Sequence, residues 1–340
     1  MAHGIATGRR GLAALAGAAA LSAPRVARAQ GGTTDPAAWP DRPVRLIVPF
    51  GAGGAIDTLS RTVAQRFPEH ANGQTLVVEN RPGAGGAVAG AAAARERPDG
   101  SALMMADVGA NAIGRELNPA LSYDPLTAFA PVIHLVDLPS VVVAHPSAPA
   151  RDLADMIAQS RARPDGFTYS SAGNGNGSHL FMAYLLREAG VSMVHVPYRS
   201  GAEMVTALVR GDAQFAFPTV SSALQMIRAG NARALAVSTA ERTPALPDVP
   251  TVAEAVPALR GFDLAVWHGV VAPAGTPAPL VARMNAVFGA VAAMPEVCEA
   301  VFRAQAGRVV GGGPADFAAR IAREAARWTP IIRAGGIRTE

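Results

Sequence analysis

Three glycine-rich stretches hold the residues with the most evident chemical use: Phe50 to Asp57 (FGAGGAID), Ser170 to His179 (SSAGNGNGSH) and Pro197 to Gly201 (PYRSG). Each follows a β-rich run and opens a helical pattern, so in an α/β fold each lies at the carboxyl end of a strand. First-turn N–H groups have no intrahelical acceptor and the helix dipole adds positive potential, so such junctions hold anions. Four to six charge-assisted hydrogen bonds at roughly 1.5–3 kcal/mol each suffice for micromolar affinity, which needs about 8 kcal/mol beyond an association cost of at least ~4 kcal/mol. A tight turn alone explains any one such loop; three at equivalent junctions point to a ligand. Candidate contacts are Phe50, Gly51, Ala52, Gly53, Gly54 and Ala55, then Ser171, Ala172, Asn174, Gly175, Ser178 and His179, and finally Tyr198.

Two acids stand at the same kind of position. Asp57 opens its helix, where an N-cap or first-turn charge is the ordinary role and contact with a ligand ammonium or hydroxyl the sharper one. Asp107 follows a strand pattern, either as a loop residue or as a selector against a second ligand carboxylate. The glycine spacing does not fit a dinucleotide loop, since Ile56 and Val88 occupy the third glycine positions. There is no Gly-x-Ser-x-Gly elbow, and Ser178 and His179 are sequence neighbours that cannot face each other as nucleophile and base. An exported hydrolase using Ser171 or Ser178 with a remote histidine is the enzymatic alternative. The histidines from His70 onward are scattered, with no His-Glu-x-x-His and no cysteine partner, so neither a metal nor a cofactor is expected. His195 and His268 lie in strand patterns and are read as core or loop-tethering residues.

Strand and helix patterns alternate along the chain that must position these groups. Val44 to Phe50 is a strand, and Asp57 to Phe67 a helix with Leu59, Val63 and Phe67 on one face. Further strands are read at Leu76 to Glu79, Ala102 to Ala106, Val141 to Ala144, Phe167 to Ser171, Val194 to Val196, Gln214 to Phe217, Ala234 to Ser238 and Ala265 to Val271. Helices stand between most of them. Three helical patterns, Ala278 to Ala293, Glu296 to Ala304 and Pro314 to Thr329, close the chain without intervening strands. The alternation predicts an α/β protein with mainly parallel sheets covered on both faces. The terminal helices return to the first sheet, which makes residues 40–142 with 266–340 one lobe and 143–265 a second, inserted lobe.

The chain has 340 residues and a formal charge of +4. All 30 basic residues are Arg, which removes P-loop and Schiff-base chemistry. Residues 1–29 carry Arg9, Arg10, Arg25 and Arg28 and no acid, and removing them leaves 26 basic against 26 acidic residues. This leader, with an apolar run from Gly11 to Leu21 and a small-x-small site at Ala27 to Ala29, reads as an export signal cleaved near Ala29. The apolar run is about half the ~20 residues of a membrane span. Whether export follows the general or the twin-arginine route stays open. Cys298 is the one cysteine, so no internal disulfide forms. With zero net charge, no Lys and 5% aromatic residues, the chain past the leader is not a nucleic-acid binder.

Seven blocks in order along the chain carry a family resemblance: Trp39 to Phe50 (WPDRPVRLIVPF), Val78 to Gly86 (VENRPGAGG), Ser170 to Gly175, His195 to Tyr198 (HVPY), Arg233 to Val237 (RALAV), Leu246 to Glu254 (LPDVPTVAE) and Ala272 to Pro277 (APAGTP). They resemble the Bug/TctC family, extracytoplasmic solute-binding proteins of tripartite tricarboxylate transporters. The resemblance implies a two-lobed, type II-like periplasmic binding fold with a hinge. It also implies a monomer in the periplasm that captures a small carboxylate and delivers it to membrane permease subunits. It places the ligand at Gly51 to Asp57 and Ser170 to His179, held largely by main-chain amides and waters. This chain departs from its relatives where Asp107-Val-Gly-Ala stands for a hydroxyl-rich loop and where Pro218-Thr219 stands for an Asp-Asn pair, which adds Thr219 to the candidates. Docking onto a membrane sensor kinase is an alternative use of the same clamp.

Overall fold

The computed structural model describes residues 36–338; the expected export signal lies outside them. Eleven strands occur among the described residues: β1 (Val44–Val48), β2 (Leu76–Asn80), β3 (Ala102–Ala106), β4 (Phe129–Pro139), β5 (Val141–Ala144), β6 (Thr168–Ser171), β7 (Val194–Pro197), β8 (Phe215–Ala216), β9 (Arg233–Val237), β10 (Ala265–Pro273) and β11 (Arg308–Gly311). Eleven α-helices alternate with them: α1 (Ala55–Arg66), α2 (Ala87–Ala93), α3 (Gly114–Leu117), α4 (Leu153–Ala162), α5 (Gly177–Ala189), α6 (Gly201–Arg210), α7 (Val220–Arg228), α8 (Val252–Ala255), α9 (Ala278–Ala292), α10 (Pro295–Gln305) and α11 (Pro314–Ala334). None of these helices is by itself long and apolar enough to cross a membrane.

The strands form two sheets, ordered β11-β4-β10-β3-β1-β2 and β7-β6-β8-β5-β9. Both are mixed rather than mainly parallel. In the first sheet β1 pairs in parallel with β2 and β3, whereas β3-β10, β10-β4 and β4-β11 are antiparallel. In the second, β6 pairs in parallel with β7 and β8, and β5 runs antiparallel to β8 and β9. The antiparallel share comes from strands that carry the chain out of one sheet and back. Of these, β4 was not foreseen. Its Pro131, His134, Asp137 and Pro139 interrupt the apolar run, yet nine of its eleven positions pair along β10 or β11. The last strand, β11, was also unforeseen; its four residues are too few to print a period.

Elsewhere the local logic holds. Leu59 and Val63 of α1 and Phe67 just past its end are buried, packed with Leu46 and Val48 of β1 in a core shared with α9 and α10. A second core lies between β5 and the α6 and α7 helices, and a third runs through both sheets beneath α11 and α5. There the Trp328 ring of α11 stacks on Phe181 of α5 at 5.7 Å and 9°. The chain leaves the first sheet at Ser140 and returns between Ser238 and Leu264. Ser140 N–H donates to Ser238 Oγ at 2.9 Å, and that hydroxyl donates to the Leu264 carbonyl at 2.6 Å.

Candidate functional site

Between the two sheets lies a cavity of about 650 Å³ onto which four helix starts converge. The loop Phe50 to Gly54 and the first residues of α1 form one wall. Gly54 leads into α1 with no side-chain cap, so the N–H groups of Ala55 and Ile56 have no intrahelical partner. Asp57, 2% exposed, holds this loop from behind. Its Oδ2 accepts from Gly53 N at 2.8 Å and Arg61 Nε at 3.0 Å, and its Oδ1 from Asn80 Nδ2 at 2.9 Å. Burial alone would raise its pKa; the bonds from Arg61, Gly53 and Asn80 and the Arg61 charge overcome that and hold it down to about 2. Gly53 sits at φ +84, the left-handed region that an L side chain enters at a cost.

The opposite wall comes from the second sheet. Asn176 caps α5 and Ser200 caps α6 through side-chain oxygens, while Thr219 precedes α7 without a capping bond. Ser178 Oγ accepts from Ala172 N at 2.9 Å and donates to Asn176 Oδ1 at 3.0 Å, which folds the glycine loop onto the helix start. Apolar side chains line the space between the polar rims, among them Phe50, Leu180, Phe181, Met204, Phe217 and Trp328.

The floor is contributed by Asp107, Ser140, Trp267, His268 and Glu324. Asp107 is 7% exposed and accepts from Ala110 N at 3.0 Å, with no Arg partner. Burial pushes its pKa up to about 6 against the opposing Ala110 and Gly109 N–H groups. Trp267 Nε1 and His268 Nδ1 are buried without a protein partner, and burial lowers the His268 pKa to about 4. Glu324 is bonded by Trp328 Nε1 at 2.7 Å and lies beside Arg320 and Arg327. No Arg lines the cavity. No group of three His, Cys, Asp or Glu among the described residues is placed to hold a metal ion.

Of the residues singled out from the sequence, Phe50, Gly51, Ala52, Gly54, Ala55, Asp107, Ala172, Ser178 and Thr219 line this cavity. Gly53 and Asp57 stand behind the loop. Ser171, Asn174, Gly175, His179 and Tyr198 lie off the cavity; Asn174 and His179 instead face a second one, on the other side of the same loop. The residues that sequence reasoning passed over include those of β10 and α11, and also Ser140, Phe181, Met204, Phe217 and Ser222. Glu324 and Trp328 are four apart on a helix, a spacing that signals one shared face but not what that face meets.

Ser171 Oγ lies 2.6 Å from His195 Nε2, a geometry reminiscent of a nucleophile and base at one of the residues proposed for the hydrolase alternative. Ser171 is fully buried, and its hydroxyl also accepts from Gly173 N at 3.2 Å. No carboxylate among the described residues bonds His195. The pair braces the loop between β6 and α5, and Ser171 is closed to a substrate.

Two sheets joined by paired crossings, with helix starts from both facing one cavity, define a two-lobed solute-binding protein. Residues 59–337 match the model of the tripartite tricarboxylate transporter family receptor, TctC, and the chain belongs to this family. A Pseudomonas protein encoded in the tcbD-tcbE intergenic region is 36% identical over 325 residues, covering 95% of this chain and 93% of the relative. Among solved structures, R. palustris Rpa4515 with adipate matches at 33% identity and TM-score 0.75, covering 88% of this chain and 99% of that one. MatC from Rhodopseudomonas palustris with bound malate matches at 30% identity and TM-score 0.72, covering 86% and 100%. The family resemblance and two-lobed α/β fold read from the sequence are thereby borne out.

Proposed function

We propose that the protein is a periplasmic receptor whose two lobes close on a small organic carboxylate and deliver it to the membrane subunits of a tripartite tricarboxylate transporter. One observation carries the reading: the uncapped starts of α1 and α7, one from each side, face a single cavity whose lining contains no Lys or Arg. A carboxylate there is held by main-chain N–H groups and helix dipoles, with Ser140, Ser200, Thr219 and Ser222 hydroxyls in reach. The apolar walls favour a ligand with an aliphatic or aromatic body over a compact hydroxy acid. The adipate in the R. palustris relative is a ligand of this kind, and the leader supports export.

Calorimetry of the chain lacking residues 1–29 against a panel of mono-, di- and tricarboxylates tests the reading. At least one acid with a four- to eight-carbon body binds with micromolar affinity and raises the melting temperature. Failure of the whole panel to bind sinks it.

A further inference from the structure

On the far side of the loop between β6 and α5 lies a second cavity, of about 500 Å³, lined by Asn174, His179, Arg187, His195, Arg338 and the residues that end α11. Its ionisable lining is entirely of the basic type. Arg187 makes no hydrogen bond or ion pair with any described residue, and Arg338 donates only to the backbone carbonyls of Glu116 and Ile337. His179 Nδ1 accepts from Gly175 N at 3.2 Å, so the ring proton sits on Nε2, leaving that nitrogen a donor. The His179 and His195 rings stack face to face at 3.8 Å and 19°, and Tyr169 stacks behind His195 at 4.9 Å. The carboxylate of Glu116, whose carbonyl Arg338 bonds, is held by two Arg333 nitrogens.

We propose that this second cavity binds a small, multiply charged oxyanion of the phosphate class, held by the Arg187 and Arg338 guanidinium groups and the His179 imidazole. Two guanidinium forks and a ring N–H suit a tetrahedral oxyanion, which offers several acceptor oxygens at once. The volume admits a phosphomonoester as readily as the free ion. A bound dianion also changes the histidine pair. Burial, and for His179 the neighbouring ring, hold both pKa values down to about 4; opposite charge nearby pulls them back up. Arg187 and Arg338 oppose that rise, Tyr169 stays neutral and Glu116 remains engaged with Arg333. This site is independent of the carboxylate reading of the interlobe cavity.

The test follows the ring proton resonances of His179 and His195 while inorganic phosphate and glycerol 3-phosphate are titrated separately into the chain lacking residues 1–29. Both rings shift saturably, and the tighter of the two ligands tells the free ion from an esterified one. Arg187→Ala and Arg338→Ala each weaken binding about tenfold, the loss of one charge-assisted hydrogen bond. The Arg187 side chain is exposed and makes no hydrogen bond or ion pair with a described residue, so its variant keeps the melting temperature. Shifts that never saturate, that survive both Arg substitutions, or that vanish in competition with a carboxylate seated in the interlobe cavity overturn the proposal.

Discussion

Asp107 and Asp57 are both carboxylates beside a helix start, and their surroundings drive them apart. Asp57 has three donors and stays ionised; Asp107 is buried with no cation and is raised to about 6. A raised carboxyl contributes stability that is complete below the unfolded pKa near 3.8 and is lost as pH rises through the folded value. Asp107→Asn keeps the acceptor for Ala110 N and removes the charge. Its melting temperature therefore matches the parent at pH 4 and exceeds it at pH 7, by the equivalent of about 2–3 kcal/mol; a constant difference across that range contradicts the assignment. Gly53→Ala tests the loop in another way. The added Cβ meets nothing within 4 Å, so the change acts only through φ +84 and costs about 1–2 kcal/mol, read as a lower melting temperature. At this scale the sequence was legible where backbone mattered. Gly51, Ala52, Gly54 and Ala55 lie along the cavity because a strand-to-helix turn leaves them nowhere else, whereas Asp57 was undecided because its partner Asn80 comes from β2.

Among the elements, α11 does most to join the two halves. The pattern read from Pro314 to Thr329 runs on through Pro330 to Ala334, because a proline tolerated at the cost of one hydrogen bond does not always terminate a helix packed on both sides. Its Trp328 reaches Phe181 and Tyr184 of α5 and bonds Glu324. Trp328→Ala removes that ring from a buried contact and costs about 3–5 kcal/mol, measured by thermal unfolding; a loss below 1 kcal/mol would mean the two halves are not joined here. The alternation of strands and helices in the middle of the chain could be read because each helix covers one sheet face with a regular stripe. The strand β4 could not, since its partners β10 and β11 lie more than a hundred residues away and long-range pairing leaves no local period.

For the whole molecule, the charge balance predicts how the two cavities differ. The chain past the leader has 26 basic and 26 acidic residues, and the interlobe cavity is lined without Arg. Carboxylate affinity there changes less than about threefold between low and high salt, because main-chain donors in a partly dry site are poorly screened. The exposed guanidinium groups of the second cavity behave oppositely, and oxyanion binding falls steeply over the same range. Titrations at two ionic strengths distinguish these responses.

The Ser238 hydroxyl ties the exit of β4 to the approach of β10 through Ser140 and Leu264. Because Pro139 lies opposite Ala265 in the antiparallel register, everything from 140 to 264 is a loop whose ends touch. Such a segment is a cassette. With its ends rejoined by a short turn, β4 and β10 would remain an ordinary hairpin, but Trp328 of α11 would lose Phe181 and Tyr184, so the host strands tolerate the cut better than the helix laid across it.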